Sequence, residues 1–274
     1  MPRPAPWGFP DDGTTVARNR RKAFVLGAIP GAVGGAVAGV VVGLLASSVA
    51  GVVAAAVVVV AVAVAVWRLA PALVVAALDA RPLPAGRAAR LDNVVDGLCA
   101  TMGLGPPALL VVVHRVPNAM AMGRSPSASV LVVTSGLLDT LDLVALESVV
   151  AHELVHVKRG EATVSGAAVV SAALVSWIVP RPADLVHRWV GRGRELAADR
   201  RAAATVRYPP GLEAALVTMS GEPNGHEAWP PGRGRMAAAT RWLWIDPMVG
   251  IRGAVDLEGN LDATEVRAAA LAEW

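Results

Sequence analysis

The segment Val149-Val150-Ala151-His152-Glu153-Leu154-Val155-His156 contains the pattern His-Glu-x-x-His and is the most informative part of the chain. On a helix, His152 and His156 lie on one face, because residues i and i+4 are neighbours. Two such imidazoles can bind one metal ion, and Glu153 can act as a general base toward water at an open metal position. An amphipathic helix with two surface histidines is the alternative, although chance gives only about 0.003 such patterns in this composition.

A third metal ligand is expected in the acidic segment Glu195-Leu196-Ala197-Ala198-Asp199, within a helix predicted over 183–206. A zinc site needs three protein ligands, and the only cysteine, Cys99, lies far away in another predicted helix. Glu195 and Asp199 share a helix face, so Glu195 can bind zinc while Asp199 accepts a hydrogen bond from a ligand imidazole. The alternative is a solvated face that pairs with Arg194 and Arg200, and spacing alone favours neither interpretation.

The composition limits the class of protein. Hydrophobic residues make up 54% of the 274 residues and charged residues 17%, whereas disordered chains and coiled coils need far more charge. The formal net charge of +3 is small and spread along the chain, so a nucleic-acid partner is not indicated. One cysteine excludes an intrachain disulfide and agrees with a reducing compartment.

A long apolar segment predicts a membrane anchor. Residues 23–66 contain no charged side chain, and as one helix they would be about 66 Å long. A bilayer core is about 30 Å thick, so two spans fit and one does not. We predict a transmembrane hairpin over residues 23–67 with its turn at 46–51, and with Gly35, Gly39 and Gly43 on a face that packs closely.

Basic residues flank the apolar segment on both sides, which predicts that both chain ends are cytoplasmic. Residues 1–22 are expected to form a flexible cytoplasmic tail, and Trp67 and Trp177 are candidates for the membrane interface. The alternative is a signal peptide with Ser48-Val49-Ala50 as its cleavage site, but its apolar region would be too long. The sequence therefore predicts a multi-pass protein of the cell membrane with its catalytic domain facing the cytoplasm.

Residues 81–274 read as one α+β domain, mostly helical with a small β-sheet. Strands are predicted over Ala108–Val113, Asn118–Met122 and Ser129–Thr134, with a turn over Gly123–Pro126. Helical character covers 135–160, and a short helix is expected from about Ala263. The predicted fold is thus a membrane hairpin followed by a zincin-like catalytic domain.

Several segments of this domain resemble the HtpX-type membrane zinc metalloproteases, which are relatives of the CAAX prenyl endopeptidases. Asn118-Ala119-Met120-Ala121-Met122-Gly123 is similar to the family's Asn-Ala-Phe-Ala-x-Gly strand, and residues 132–139 are similar to the segment before the zinc helix. Residues 151–161 resemble the zinc helix with its trailing acid. Arg194-Glu195-Leu196-Ala197-Ala198-Asp199 resembles the Glu-x-x-Ala-Asp motif.

The resemblance assigns roles that spacing leaves open. It implies that Glu195 is the third zinc ligand beside His152 and His156, with Glu153 as the base and Asp199 as a partner of a ligand. It also implies that a strand lines the substrate cleft and that an extended peptide adds to its edge; its residues are Asn118, Ala119, Met120 and Ala121.

The chain departs from the family at two places. Arg267 matches an arginine near the family's C-terminus, but Leu261-Asp262 stand where the family has His-Pro, so the role of that segment is open. Residues 162–179 are too short to cross a bilayer twice. A single crossing would separate Glu195 from the histidines, so we expect a buried core helix or a helix at the membrane surface.

These observations predict a membrane-anchored zinc endopeptidase that cleaves unfolded or membrane-proximal proteins and peptides. One alternative is a catalytically silent membrane adaptor, against which the intact Glu153 argues. The other is a CAAX-type prenyl-protein endopeptidase, for which a two-span anchor is too small to form a large chamber. The expected partners are the lipid bilayer and the peptide substrate, and no feature of the sequence indicates an oligomeric state.

Overall fold

A long antiparallel helical hairpin forms the N-terminal part of the molecule. The computed structural model describes residues 13–83, 88–178, 182–191, 193–220, 229–247 and 263–274. Helix α1 covers Gly13–Leu45 and helix α2 covers Ser48–Ala77. The Ser47 hydroxyl accepts a hydrogen bond from the Ala50 N–H and caps α2. Both helices are long and apolar enough to cross a bilayer by length and composition.

The hairpin is longer than the sequence predicted at both ends. Helix α1 begins at Gly13, so residues 13–22 of the predicted flexible tail are helical, and residues 1–12 lie outside the described residues. Packing against the catalytic domain explains the extra turns, since Asn19 is buried and its Nδ2 donates to the Arg159 carbonyl at 2.9 Å. Helix α2 continues to Ala77 for the same reason, with Val74 buried against that domain.

Glycines permit the close approach of α1 and α2. A Cβ at Gly35 would lie 2.9 Å from the carbonyl oxygen of Ala55, and one at Gly39 would lie 3.1 Å from that of Gly51. Contacts this short leave no room for a side chain, so the predicted glycine face of α1 is the face that meets α2.

A mixed four-stranded sheet follows the hairpin, in the order β1-β2-β4-β3. Strand β2 pairs parallel with β4, and β3 pairs antiparallel with β4 at the edge of the sheet. The sequence predicted three of the four strands and missed β1, a two-residue strand that contains a proline. The strands are β1 Arg81–Pro82, β2 Ala108–Val112, β3 Ala119–Ser125 and β4 Ala128–Thr134.

Nine α-helices and one 3₁₀ turn at Thr240–Leu243 complete the described part of the catalytic domain. The helices are α3 Ala89–Met102, α4 Ser135–Thr140, α5 Leu143–Lys158, α6 Glu161–Val175, α7 Pro182–Val190, α8 Arg194–Val206, α9 Pro209–Ser220, α10 Gly234–Ala239 and α11 Thr264–Ala272.

Two predicted helices are each divided in the structure. The stretch 135–160 forms α4 and α5, because Leu141 is extended and the Asp142 carboxylate caps a new helix by accepting from Ala145 N–H at 2.8 Å. The stretch 183–206 forms α7 and α8, which are separated around Gly191 and Gly193, both at positive φ. A left-handed backbone ends a helix, and glycine adopts it readily.

Two apolar cores position the site. One surrounds α5 and is built with α3, α8 and α9; the other joins α6 to α1, α2 and the sheet. Helix α5 belongs to the first core and is buried along most of its length. The helix with the His-Glu-x-x-His pattern is therefore the central element of the domain, and its polar side chains point into the protein.

Candidate metal centre

His152 and His156 lie one turn apart on α5, and their Nε2 atoms are 3.1 Å apart. Both side chains are almost fully buried, as Leu146 and Val149 on the same helix are. The alternative of two surface histidines is therefore wrong. A pair of buried imidazoles with adjacent ring nitrogens needs a shared partner, because buried polar groups are rarely left unsatisfied.

Glu195, in the first turn of α8, supplies that partner. Its Oε2 lies 3.0 Å from Nε2 of His152 and 3.3 Å from Nε2 of His156. These three side chains form a group that can hold a metal ion. Burial opposes ionisation of Glu195, but Arg194 and His156 outweigh it and hold the pKa of this carboxyl well below its usual range.

The second nitrogen of each imidazole faces an acid. Nδ1 of His152 lies 2.8 Å from Oδ1 of Asp199, and Nδ1 of His156 lies 2.7 Å from Oε2 of Glu161. Such partners fix the ring orientation and direct Nε2 toward the shared point. Burial opposes ionisation of Glu161, but His156 lowers the pKa of this carboxyl to about 2.

Arg194 holds the other oxygen of Glu195. Its Nε and Nη2 donate to Oε1 at 2.9 and 2.6 Å, and its Nη1 donates to the Ser165 hydroxyl at 2.7 Å. The carboxylate can then present only Oε2 to the histidines. The sequence offered Arg194 merely as a partner on a solvated face, and Ser165 carried no signal because it comes from another helix.

Asp199 is held by Arg267 from α11. Nε and Nη2 of Arg267 each donate to the carboxylate at 2.7 Å, and both side chains are fully buried. Burial raises the pKa of Asp199, but Arg267 and His152 outweigh it and keep that pKa below its ordinary value. The structure thus brings the matching arginine into the centre, while Leu261-Asp262 lie outside the described residues.

Glu153 points toward the same region but binds none of these groups. It is 2% exposed, and among the residues that the structure describes its Oε1 is a buried oxygen without a hydrogen-bond partner. Burial raises the pKa of this carboxyl. An unpaired buried carboxylate with a raised pKa is suited to accept a proton.

The residues predicted to bind substrate occupy β3 and the position before it. Asn118 and Ala119 are buried and anchor a C-terminal segment: the Asn118 amide donates to the Asp246 carbonyl at 2.6 Å, and the Ala119 carbonyl accepts from Ile245 N–H. Met120 lies opposite Val132 of β4. Successive residues of a strand direct their N–H and C=O groups to opposite sides. Those of Met120 point toward β4, and those of Ala121, the next residue, therefore point away from it.

Comparison with known proteins agrees with this arrangement. The model of Peptidase family M48 matches residues 85–243. A Protease HtpX homolog of Tropheryma whipplei (strain TW08/27) is 33% identical over 64% of this chain and 69% of its own length. Similar proteins of the same name from Acidiphilium cryptum and Dictyoglomus thermophilum are each 33% identical, over 53% and 47% of this chain.

The chain spans 54% to 69% of the length of these curated relatives. No solved structure matches it. The family model covers more than half of the chain and contains helix α5, Arg194 and Glu195. The chain therefore belongs to Peptidase family M48, as the resemblance of its motifs predicted.

Proposed function

We propose that this protein is a membrane-anchored zinc endopeptidase. Zinc would be held by Nε2 of His152, Nε2 of His156 and Oε2 of Glu195. Tetrahedral zinc with ligands at about 2.0–2.1 Å needs ligand atoms about 3.3 Å apart. The three atoms are 3.0, 3.1 and 3.3 Å apart, so the residues present fit this ion. Two imidazoles and one carboxylate are also a ligand set typical of catalytic zinc.

When bound, zinc would supply Lewis-acid activation of water and of the scissile carbonyl. Glu153 would accept a proton from the water that adds to the carbonyl carbon, and would donate it to the amine as the C–N bond breaks. Its burial supports this role, because a raised pKa makes the carboxylate a stronger base. Asp199 and Glu161 would keep the imidazoles oriented, and Arg194 would restrict Glu195 to one ligand oxygen.

The substrate would bind as an extended peptide along β3. Strand β3 is an edge strand, and the backbone groups of Ala119 already bind the Asn118 side chain and Ile245. The outward N–H and C=O of Ala121 are therefore the groups that support strand addition. Extended binding selects unfolded or flexible segments, which agrees with protein or peptide substrates.

The hairpin of α1 and α2 would anchor the enzyme by crossing the cell membrane twice, with both chain ends in the cytoplasm. Support comes from two apolar helices of sufficient length and from arginines on both flanks. Impermeant thiol labelling of an added cysteine at Asp12 or Asn260 in intact cells tests this orientation. Labelling before lysis would place the ends outside and overturn it.

The single observation that carries the proposal is the buried, unpaired Glu153 beside three converging ligand atoms. We expect Glu153→Gln to keep zinc and to abolish cleavage of casein by the purified chain. Glu147→Gln, on the same helix but partly exposed, is the matched control and keeps activity. Wild-type cleavage by Glu153→Gln would refute the base, and a metal-loaded but inactive wild type would favour the adaptor.

A further inference from the structure

The C-terminal end of α6 and the turn that follows it expose a cluster of large apolar side chains. Leu174, Trp177 and Ile178, here named the α6 tip, are 50%, 84% and 72% exposed, whereas residues 162–172 of the same helix are buried. The guanidinium of Arg235 lies 4.0 Å from the centroid of the Trp177 ring. Exposed apolar clusters of this kind mark interaction sites.

Helix α6 runs alongside the hairpin toward the hairpin's turn. It begins beside Val16 of α1, against which Gly160 packs, and Gly166 packs against Ala70 of α2. Val16 is about 43 Å from the turn and Ala70 about 33 Å, at ~1.5 Å per residue. The six residues from Gly160 to Gly166 span about 9 Å, so this part of α6 runs nearly parallel to the hairpin, and the α6 tip lies nearer to the turn still.

The position of the bilayer follows from the part of the hairpin that extends beyond its contacts with the catalytic domain. Contacts with the catalytic domain bury Leu26 of α1 and Val66 of α2. Beyond these residues each helix continues for about 27–28 Å to the turn, close to the ~30 Å of a bilayer core. Valine and leucine side chains are exposed along this length. The membrane surface therefore lies near the level of Leu26 and Val66.

The α6 tip passes that level. Val66 lies one turn, or about 6 Å, closer to the hairpin turn than Ala70, whereas α6 continues for about 13 Å beyond Gly166 before it ends at Val175. We propose that the α6 tip enters the near leaflet of the membrane that the hairpin spans, without crossing it. The inference rests on the membrane anchoring in the proposed function.

The chemistry of the tip agrees with a lipid partner. Trp177 has an apolar ring with a polar edge, which favours the interface. Arg235 can extend from that ring toward a lipid phosphate while its stem stays in apolar surroundings. Because α6 begins with Glu161, the partner of His156, a tip in the leaflet would hold the metal centre close to the membrane surface.

Site-specific fluorescence in the full-length chain tests the inference. Single cysteines are introduced in a Cys99→Ala background, labelled with an environment-sensitive dye, and reconstituted into phosphatidylcholine vesicles with a minority of phosphatidylglycerol. Ile178→Cys reports the tip. Val217→Cys, at a position 54% exposed on α9, a helix of the other core, is the aqueous control, and Val37→Cys on α1 reports the hairpin.

We expect the dye at position 178 to be quenched by lipids that carry a nitroxide near the headgroup, and to have a several-fold lower iodide quenching constant than position 217. If iodide quenches the dye at position 178 as strongly as at position 217, the inference is overturned. Lipid quenching at position 37 in the same experiment would show that the membrane hairpin itself still holds. Protection from both quenchers would mean a protein cover, such as a second copy, and would also overturn it. Absence of lipid quenching at position 37 would refute the anchoring itself.

Discussion

Arg194 and Glu195 are neighbours in sequence, and the guanidinium of the first binds only one oxygen of the second, Oε1, at 2.6 and 2.9 Å. The other oxygen, Oε2, is left facing His152 and His156. A bidentate fork can hold a carboxylate in one orientation, whereas a lysine is a point charge that cannot. The orientation of Glu195, the proposed third ligand, therefore depends on the residue before it.

Arg194→Lys tests this dependence. We expect zinc affinity to fall by about 10–100-fold, the usual cost of losing a partner of a ligand, while helix content stays unchanged. Arg200→Lys is the control, because Arg200 is an exposed arginine on the same helix. Competition with a chromophoric chelator measures the affinity, and equal affinities for the two variants would contradict the role of the fork.

Glu195→Ala and Asp199→Asn separate a ligand from its neighbour. We expect Glu195→Ala to lose zinc on dialysis against a mild chelator, because two histidines alone leave two positions open. Asp199→Asn should bind about 10–100-fold more weakly. It should also lower the free energy of unfolding by about 3–5 kcal/mol, since Arg267 is left as a buried unpaired charge. A metal-free Asp199→Asn beside a loaded Glu195→Ala would reverse the assignment.

Zinc uptake should release protons. In the metal-free site burial lowers the pKa of His156, but Glu195 outweighs it and raises that pKa to about 9. Below pH 9 this imidazole carries a proton, and a metal ligand must be neutral. We expect the calorimetric enthalpy of zinc binding at pH 7 to vary with the ionisation enthalpy of the buffer, and to vary less as pH rises through 9. An enthalpy independent of the buffer at pH 7 would contradict this.

Ala121→Pro should abolish cleavage without unfolding the sheet. The Ala121 N–H points away from β4, so its loss removes no hydrogen bond between strands but removes a donor for an added strand. Met120→Pro is the control, because the Met120 N–H points toward β4 and its loss should destabilise the fold. Thermal unfolding, zinc content and casein cleavage are measured together. Full activity of Ala121→Pro would exclude strand addition at this position.

Gly35→Val and Gly34→Val form a matched pair in the hairpin. A Cβ at Gly35 would meet the Ala55 carbonyl oxygen at 2.9 Å, whereas one at Gly34 would meet only a Val58 methyl at 3.6 Å. We expect Gly35→Val to lower stability in detergent by about 1–3 kcal/mol, as overpacking does, and Gly34→Val to be nearly neutral. Equal stabilities would show that the helices tolerate separation.

The sequence predicted the parts of the centre that lie on single helices. His152, Glu153 and His156 follow from one spacing on α5, and the family resemblance selected Glu195 over Asp199. Glu161 was noted only as the trailing acid of the resemblance, and its contact with His156 was not predicted, because Glu161 belongs to a new helix, α6, and reaches His156 only because Gly160 turns the chain at a φ of 68°. Periodicity describes one helix and cannot predict how a turn directs the next.

The predicted ends of the helices were wrong where tertiary contacts or backbone geometry outweigh the local preference of the sequence. Residues 13–22 are polar enough to read as a tail, yet Asn19 is held by the Arg159 carbonyl. The helix expected over 183–206 is divided at Gly191 and Gly193, which both have positive φ values. The surrounding Arg and Trp residues give no indication of this backbone geometry.

Arg267 belongs to the last described helix, α11, and neutralises a carboxylate that orients the first histidine of α5. During synthesis the ribosome produces His152, Glu153, His156 and Glu195 well before Arg267. A nascent chain would therefore hold every proposed metal ligand while Asp199 still lacks its counter-charge. If the proposed function holds, full metal affinity would be reached only after α11 docks, and the start of proteolysis would be tied to completion of the fold.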